Sequence, residues 1–492
     1  MATQSYKKLL EHYQSIDNFE HLRAICSWDQ ATFMPSGGAD SRAEAMAELA
    51  VHLHKLHTAP HLAELFELAK DENLDTTQQA SVKEMHRTWQ LQTVLPAELV
   101  KAKSLAGAKC EHQWRIQRQE NDWQGFLKNF EPVVALSQEE AQIRASSSRM
   151  TPYDAMLDIY EPGMCSTQLN QLFGDVATWL PQMIQTAAQD YSPNHTAQYP
   201  VEQQELLAHE LMALLGFNFN HGRLDTSVHP FCGGTSQDTR ITTRYGESEF
   251  VNAMMGVIHE TGHACYEQNL PQSLAKLPVG KARSMAIHES QSLFYEMQIA
   301  RSPEFIALLS DRASHYFPKY AAINKTQNLI AQLQRVEPSL IRVDADEVTY
   351  PAHVILRYEI ERDLINGDIQ SKDIPQLWDL KMSQLLGIST KDNYKDGCMQ
   401  DIHWTDGSFG YFPSYTLGAM YAAQFKHTMA KTINIPQQIN SRDLKPIYDW
   451  LNTQIWQKAS LLSTQDLMVQ ATGTGLDVSI FKSHLQHRYC KA

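Results

Sequence analysis

Apolar residues recur at three- and four-residue spacing through most of this 492-residue chain, the period of a helix that buries one face. The pattern predicts helices over 1–25 and 40–57, then over 76–145 with Pro96 and Pro132 as punctuation, and over 165–190 and 201–217. It resumes over 283–300, 303–336, 351–366, 375–386, 416–432, 442–462 and 477–489. Val251-Asn-Ala-Met-Met-Gly-Val-Ile-His-Glu-Thr-Gly-His-Ala-Cys-Tyr266 also reads as helical throughout. Strand-like alternation is scarce. Its best case is 226–246, where β-branched residues flank Gly233-Gly234, and this predicts a small antiparallel hairpin just before the Val251 helix. No repeat, low-complexity linker or long charge block divides the chain. The expectation is a mostly α molecule, with residues 1–492 as one catalytic unit.

Composition narrows the class. Charged residues at 20% and hydrophobic ones at 43% are ordinary for a globular chain. A net charge of −14 argues against nucleic acid as the main partner. No run of 18 apolar residues exists, so no membrane span is expected. Seven cysteines are odd in number, scattered and without a Cys-x-x-Cys pair, which fits reduced thiols. The first ten residues lack the apolar stretch of a signal peptide. The expected location is the cytoplasm.

The strongest chemical signal is His259-Glu-Thr-Gly-His263. Two histidines four positions apart on a helix project from one face, one turn apart. Both rings can then reach one Zn²⁺, with Glu260 beside them to activate water. A catalytic zinc needs a third protein ligand and an open position. The helix Met285–Ile299 follows a Pro278/Gly280 turn and offers Glu289, 26 residues past His263, with His288 and Glu296 competing for the role. The bland alternative is a pair of histidines that merely cap or pack a core helix.

Two further segments carry candidate chemistry. Gly397-Cys-Met-Gln-Asp-Ile-His-Trp-Thr-Asp-Gly-Ser-Phe-Gly-Tyr-Phe-Pro-Ser-Tyr415 has the Gly, Asp, His and Tyr content of a site loop, and it leads into a helix of small residues. An ordinary surface loop would have the same composition. Ile341-Arg-Val-Asp-Ala-Asp346 sets Arg342 among carboxylates. It is either a structural ion pair or a guanidinium fork for a substrate carboxylate. The histidines at 52, 54, 57 and 61 are interrupted by Pro60 and read as a solvated helix end. Thr472-Gly-Thr-Gly-Leu476 reads as a turn before the last helix.

These motifs resemble, in content and order, the carboxypeptidase Taq family of metallocarboxypeptidases. The carrying pieces are His229-Pro-Phe231, Asp238-Thr-Arg-Ile-Thr242, His259-Glu-Thr-Gly-His263, His288-Glu-Ser-Gln291, Ile341-Arg-Val-Asp-Ala-Asp346 and Gly397-Cys-Met-Gln-Asp-Ile-His-Trp404. Ser27-Trp-Asp-Gln-Ala-Thr-Phe-Met-Pro35 and His487-Arg-Tyr489 add weaker support. The resemblance implies a mostly helical, zincin-type molecule with a deep groove between two halves and the metal on its floor. Residues 1–200 would form one wall, and 201–492 would carry the metal site.

It further implies Glu289 as third ligand, one Zn²⁺ per chain with Co²⁺ as a substitute, and a homodimer. It assigns Arg342 to the terminal carboxylate with His403 nearby, and His229, Asp238 and Arg240 to substrate contact. Residues 238–243 would be the edge strand that holds the peptide backbone. Tyr411, or failing it Tyr415, would stabilise the oxyanion. The implied activity is release of single C-terminal residues from peptides with a free C-terminus and broad specificity. Leu293 stands where an acid is expected four residues after Glu289, so the carboxylate that orients a ligating histidine has no assignment. Two rival readings remain at this level: an endo-oligopeptidase of the same chemistry, and a catalytically silent helical scaffold that keeps zinc for structure.

Overall fold

The computed structural model describes residues 4–188, 197–227 and 230–490. The chain opens with helices α1 (Gln4–Thr32), α2 (Ala39–His57), α3 (His61–Lys70), α4 (Thr76–Thr93), α5 (Ala97–Gln119), α6 (Trp123–Ser148), α7 (Pro152–Tyr160), α8 (Ser166–Ala187) and α9 (Val201–Leu214). Strands β1 (Gly222–Thr226), β2 (Phe231–Thr235) and β3 (Asp238–Thr243) come next. After them run α10 (Val251–Gln268), α11 (Met285–Leu293), α12 (Pro303–Tyr316), α13 (Thr326–Leu333), α14 (Tyr350–Asn366), α15 (Ile374–Leu386) and α16 (Pro413–Met429). The chain closes with α17 (Ile435–Asn440), α18 (Lys445–Gln454), α19 (Thr464–Thr472) and α20 (Val478–Tyr489). The mostly α expectation holds, and no described helix is long and apolar enough to cross a membrane.

α10 is the central element, buried almost all round from Val251 to Tyr266, as a helix in the middle of a large core must be. Two glycines set its neighbourhood. A Cβ at Gly262 would lie 2.5 Å from the Gln291 carbonyl oxygen and 2.7 Å from Ser292 Cα, so α10 and α11 meet backbone to backbone. A Cβ at Gly418 would lie 2.8 Å from Glu289 Cβ, so α16 presses on α11 from another side. Ser284 caps α11 by accepting from Ile287 N–H at 3.1 Å. Beyond Leu293 the helix widens into a π-helical stretch, Phe294–Ala300.

The main apolar core already includes residues from α5 onward, such as Cys110 and Phe130. A second cluster joins α1–α4 through Tyr6, Leu9, Leu62, Phe66 and Met85 to Leu277 and Val279. The boundary between the two apolar clusters therefore falls after α4.

Several boundaries differ from the periodicity reading. Pro132 sits inside an unbroken α6; the break comes earlier, where Asn121 takes φ 57° and Asp122 caps Gly125 N–H at 2.8 Å. The single helix expected over 303–336 is split by a 3₁₀ turn, Pro318–Tyr320, because Pro318 has no N–H to continue the ladder. The hairpin is present as β2–β3, from Phe231↔Thr242 to Thr235↔Asp238. However, β1 pairs parallel with the other side of β3, so residues 238–243 form the middle strand, and β1 and β2 are the two edges. The edge assignment for 238–243 is corrected accordingly. β1 gave no signal of its own because it pairs in parallel, across the intervening β2, rather than through a hairpin turn, and its start depends on Gly222, whose Cβ would lie 2.3 Å from the Thr239 carbonyl oxygen.

Candidate active site

On the exposed side of α10, three imidazoles and four carboxylates converge: His259, His263 and His288 with Glu260, Glu267, Glu289 and Glu296. One donor atom from each of His259, His263 and Glu289 lies within 4.8 Å of the others. Glu289 Oε2 is 3.4 Å from His263 Nε2 and 4.0 Å from His259 Nε2. The opposite ring nitrogens are already engaged. His259 Nδ1 is 3.0 Å from the Glu296 carboxylate, and Arg301 donates to the other Glu296 oxygen at 3.1 Å. His263 Nδ1 is 2.6 Å from His288 Nδ1, and His288 Nε2 is 2.8 Å from Glu267.

By position, Glu289 rather than its rivals faces the Nε2 atoms of both His259 and His263. Glu296 stands behind His259, and His288 stands behind His263. Two imidazoles and a carboxylate converging on one point, each imidazole oriented from behind, are a donor set that would fit a divalent cation such as Zn²⁺. The field suits one as well. Burial opposes charge on His259, but Glu289, Glu296 and Glu260 outweigh it and hold the ring protonated up to about 10. Burial opposes ionisation of Glu289 too, yet His259 and His263 bring it down to about 2. Burial drives His263 down to about 4. Glu260 is 8% exposed, and that burial, eased by His259, pushes its carboxyl up to about 7.

The other predicted residues fall into two groups. Arg342, His403, Tyr411 and Tyr415 gather beside the triad. Burial raises both tyrosines, with Glu289 adding to the effect. Tyr411 packs edge-on against Tyr160 and Tyr415, at 5.1 and 5.3 Å. His403 Nε2 is 3.3 Å from the Tyr415 hydroxyl, and burial and Arg342 push His403 down to about 4. Arg342 donates through Nε and Nη2 to Asp401 Oδ1 at 3.0 and 2.8 Å, and through Nη1 to Tyr350 at 2.6 Å. A guanidinium has five N–H groups, so two remain for a ligand.

Asp238 and Arg240 are not brought to the triad. They pair with each other at 2.8–2.9 Å, and the Arg240 guanidinium lies 4.4 Å from the Trp28 ring centre. Their side chains alternate with buried Thr239 and Ile241, so they face away from α10 and join the strand to α1. His229 lies outside the described residues.

Sequence reasoning did not find the buried frame around these groups. Gln400 accepts from Arg342 N–H at 2.8 Å and donates to Leu340 O at 2.9 Å, which welds the 341–346 segment to the 397–415 loop. Glu361 accepts from Tyr153, Trp404 and Gly410 N–H at 2.7, 3.0 and 3.2 Å. Glu161 accepts from Ala286 N–H and Ser414 at 2.5 and 2.9 Å, so it ties the start of α11 to α16. The signal was a carboxylate inside an apolar helix pattern, as at Glu361. Beside β2, a cavity of about 330 Å³, bordered by α1 residues, Glu267 and His288, opens next to the triad.

The profile of the carboxypeptidase Taq (M32) metallopeptidases matches residues 8–489. Thermostable carboxypeptidase 1 of Thermus thermophilus is 35% identical over 99% of this chain and 98% of its own. Carboxypeptidase 1 of Bacillus subtilis is 32% identical over 98% and 97%. The solved structure of Trypanosoma cruzi metallocarboxypeptidase 1 superposes with a TM-score of 0.96 at 42% identity, covering 99% of both chains. With the paired histidines, the acid across from them and a likeness that runs end to end, the chain belongs to the carboxypeptidase Taq (M32) family of metallopeptidases.

Proposed function

We propose that this metallocarboxypeptidase removes single residues from the free C-terminus of short peptides, with broad tolerance for the residue removed. His259, His263 and Glu289 hold the divalent cation, read here as one Zn²⁺ per chain with Co²⁺ as a substitute. A cation bound there supplies Lewis acidity, lowering the pKa of water and polarising the scissile carbonyl.

The protein's own groups do the rest. Glu260, one residue from His259 and largely dry, takes the proton of the attacking water and passes it to the leaving amine. Tyr411 donates to the developing oxyanion, with Tyr415 as the reserve donor. Arg342 holds the terminal carboxylate through its two remaining N–H groups, and His403 lies beside it. β2 offers its free edge to the peptide backbone, and His229, just before it in the chain, contacts the substrate. Asp238 and Arg240 act through the wall they build with Trp28. The enzyme works in the cytoplasm as a homodimer, with the whole chain forming one catalytic unit.

The observation that carries this reading is a buried guanidinium with spare donors beside the metal triad, which suits a substrate that ends there. Digestion of N-blocked peptides tests it. Single residues should be released from free C-termini, and amidation should abolish release. Equal cleavage of the amidated peptides, or internal cuts in the product masses, overturns it.

A further inference from the structure

Behind Arg342 lies a second guanidinium, Arg357 on α14, with none of its surface exposed. Both bind one carboxylate. Asp401 Oδ1 takes the two Arg342 contacts at 3.0 and 2.8 Å. Asp401 Oδ2 takes Arg357 Nε at 2.7 Å and faces its Nη2 at 2.6 Å. Arg357 Nη1 donates to His353 O at 2.7 Å. The rest of its surroundings are aromatic: its guanidinium carbon lies 4.4 Å from the Trp378 ring centre and 5.5 Å from that of Phe412. Phe412 meets Arg342 at 5.5 Å as well.

The charge count does not close. Burial lowers Arg357 only to about 10, so it stays charged at neutral pH. Burial and the two arginines keep His353 and His403 neutral. Two guanidiniums grip one carboxylate directly. The other acid that Arg357 feels, Glu361, accepts from Tyr153, Trp404 and Gly410 N–H and is pushed up to about 7 by burial. At neutral pH it only partly offsets the pair, so the dry site stays short of full neutralisation. A buried charge left without a partner is costly, and a single added anion at Arg342 removes that cost.

We propose that Arg357 is a positioning residue for the terminal carboxylate: through Asp401 it supplies the unneutralised charge that makes the Arg342 site a monoanion receptor. This rests on the reading of Arg342 given above. Without Arg357, the Arg342–Asp401 pair would be neutral and would have little electrostatic reason to admit a carboxylate. Arg357 does not touch the substrate, so the chemical step does not depend on it.

The test uses zinc-loaded wild type, Arg357→Met, Arg357→Lys and Arg342→Met on an N-blocked tripeptide with a free C-terminus, with 3-phenylpropanoate and its amide as competing probes. Arg357→Met should raise KM about tenfold or more and change kcat less than about threefold, and it should lose the preference for the carboxylate probe over the amide. Arg357→Lys keeps the charge but loses the fork on Asp401, and KM should rise about threefold. That variant decides the matter if Arg357→Met does not fold. Wild-type KM and probe preference in the Arg357 variants, with KM raised in Arg342→Met, overturn this proposal alone. Wild-type KM in Arg342→Met overturns the reading beneath it too.

Discussion

Glu296 holds His259 from behind, its carboxylate 3.0 Å from Nδ1, on a π-helical turn seven residues past Glu289. π turns recur at functional sites because one extra residue re-aims the side chains that follow. Here the turn gives one helix two acidic roles, one toward the triad and one behind it. Partners of this kind fix ring orientation and ligand basicity. Glu296→Gln should therefore raise the zinc dissociation constant about 10–100-fold, measured by competition with a chromophoric chelator, while the far-UV spectrum is unchanged.

The glycine at 418 sets how closely α16 approaches Glu289, since a Cβ there would lie 2.8 Å from both Cβ and Cγ of that residue. Gly418→Ala should cost about 1–3 kcal/mol by overpacking and should weaken zinc binding, because the side chain that yields is the ligand. Urea unfolding and the same chelator competition check the two effects. A loss of stability with unaltered zinc affinity would mean that the helix, not Glu289, gives way.

The metal site was legible in large part. The His259/His263 spacing is a local helical property, and Glu289, His288 and Glu296 were all visible as candidates on one helix. Their separate roles were not, because these depend on the backbone contact at Gly262 and on the π turn, neither of which leaves a periodic signal. The carboxylate with no assignment was thus one of the named rivals. The sheet shows the same limit. β2–β3 is a local hairpin and was readable, whereas β1 joins in parallel from across a connection, which moved 238–243 from the edge to the middle. Asp238 and Arg240 were assigned to substrate contact by likeness alone, and the packing of Arg240 on Trp28, some 200 residues earlier in the chain, leaves no local pattern to read.

Tyr411 packs between Tyr160 and Tyr415, which fixes the ring, and its hydroxyl oxygen accepts from Tyr415, which leaves its own proton to donate. Tyr411→Phe should lower kcat about a hundred- to thousandfold, the usual loss of one oxyanion donor, with KM and bound zinc little changed. Tyr415→Phe should act mainly on KM through His403. Steady-state kinetics on a free-acid peptide separate the two, and the opposite pattern would exchange their roles.

Far from the site, Glu347 is buried among Arg488 at 2.8 Å, His484 at 2.7 Å and Tyr489 at 2.6 Å. Burial opposes its ionisation, but Arg488 and the hydrogen bonds from His484 and Tyr489 hold the carboxyl well below the usual range. Burial keeps His484 neutral, so Arg488 supplies the charge. Removing one partner of such a pair costs about 3–5 kcal/mol, the expected loss in Glu347→Gln at pH 7. The folded pKa is depressed, so the stabilisation is complete above the unfolded value of about 4.3 and is lost as pH falls through the folded one. Urea midpoints of wild type and variant should differ by a constant amount from pH 6 to 8 and begin to converge only below about pH 4.

The most direct test of the central claim is metal content after equilibrium dialysis against zinc, read by elemental analysis for wild type, Glu260→Gln and Glu289→Ala together. The account predicts one ion per chain in wild type and in Glu260→Gln, and a large loss in Glu289→Ala. Stoichiometric zinc that survives Glu289→Ala unchanged, or none in wild type, contradicts it.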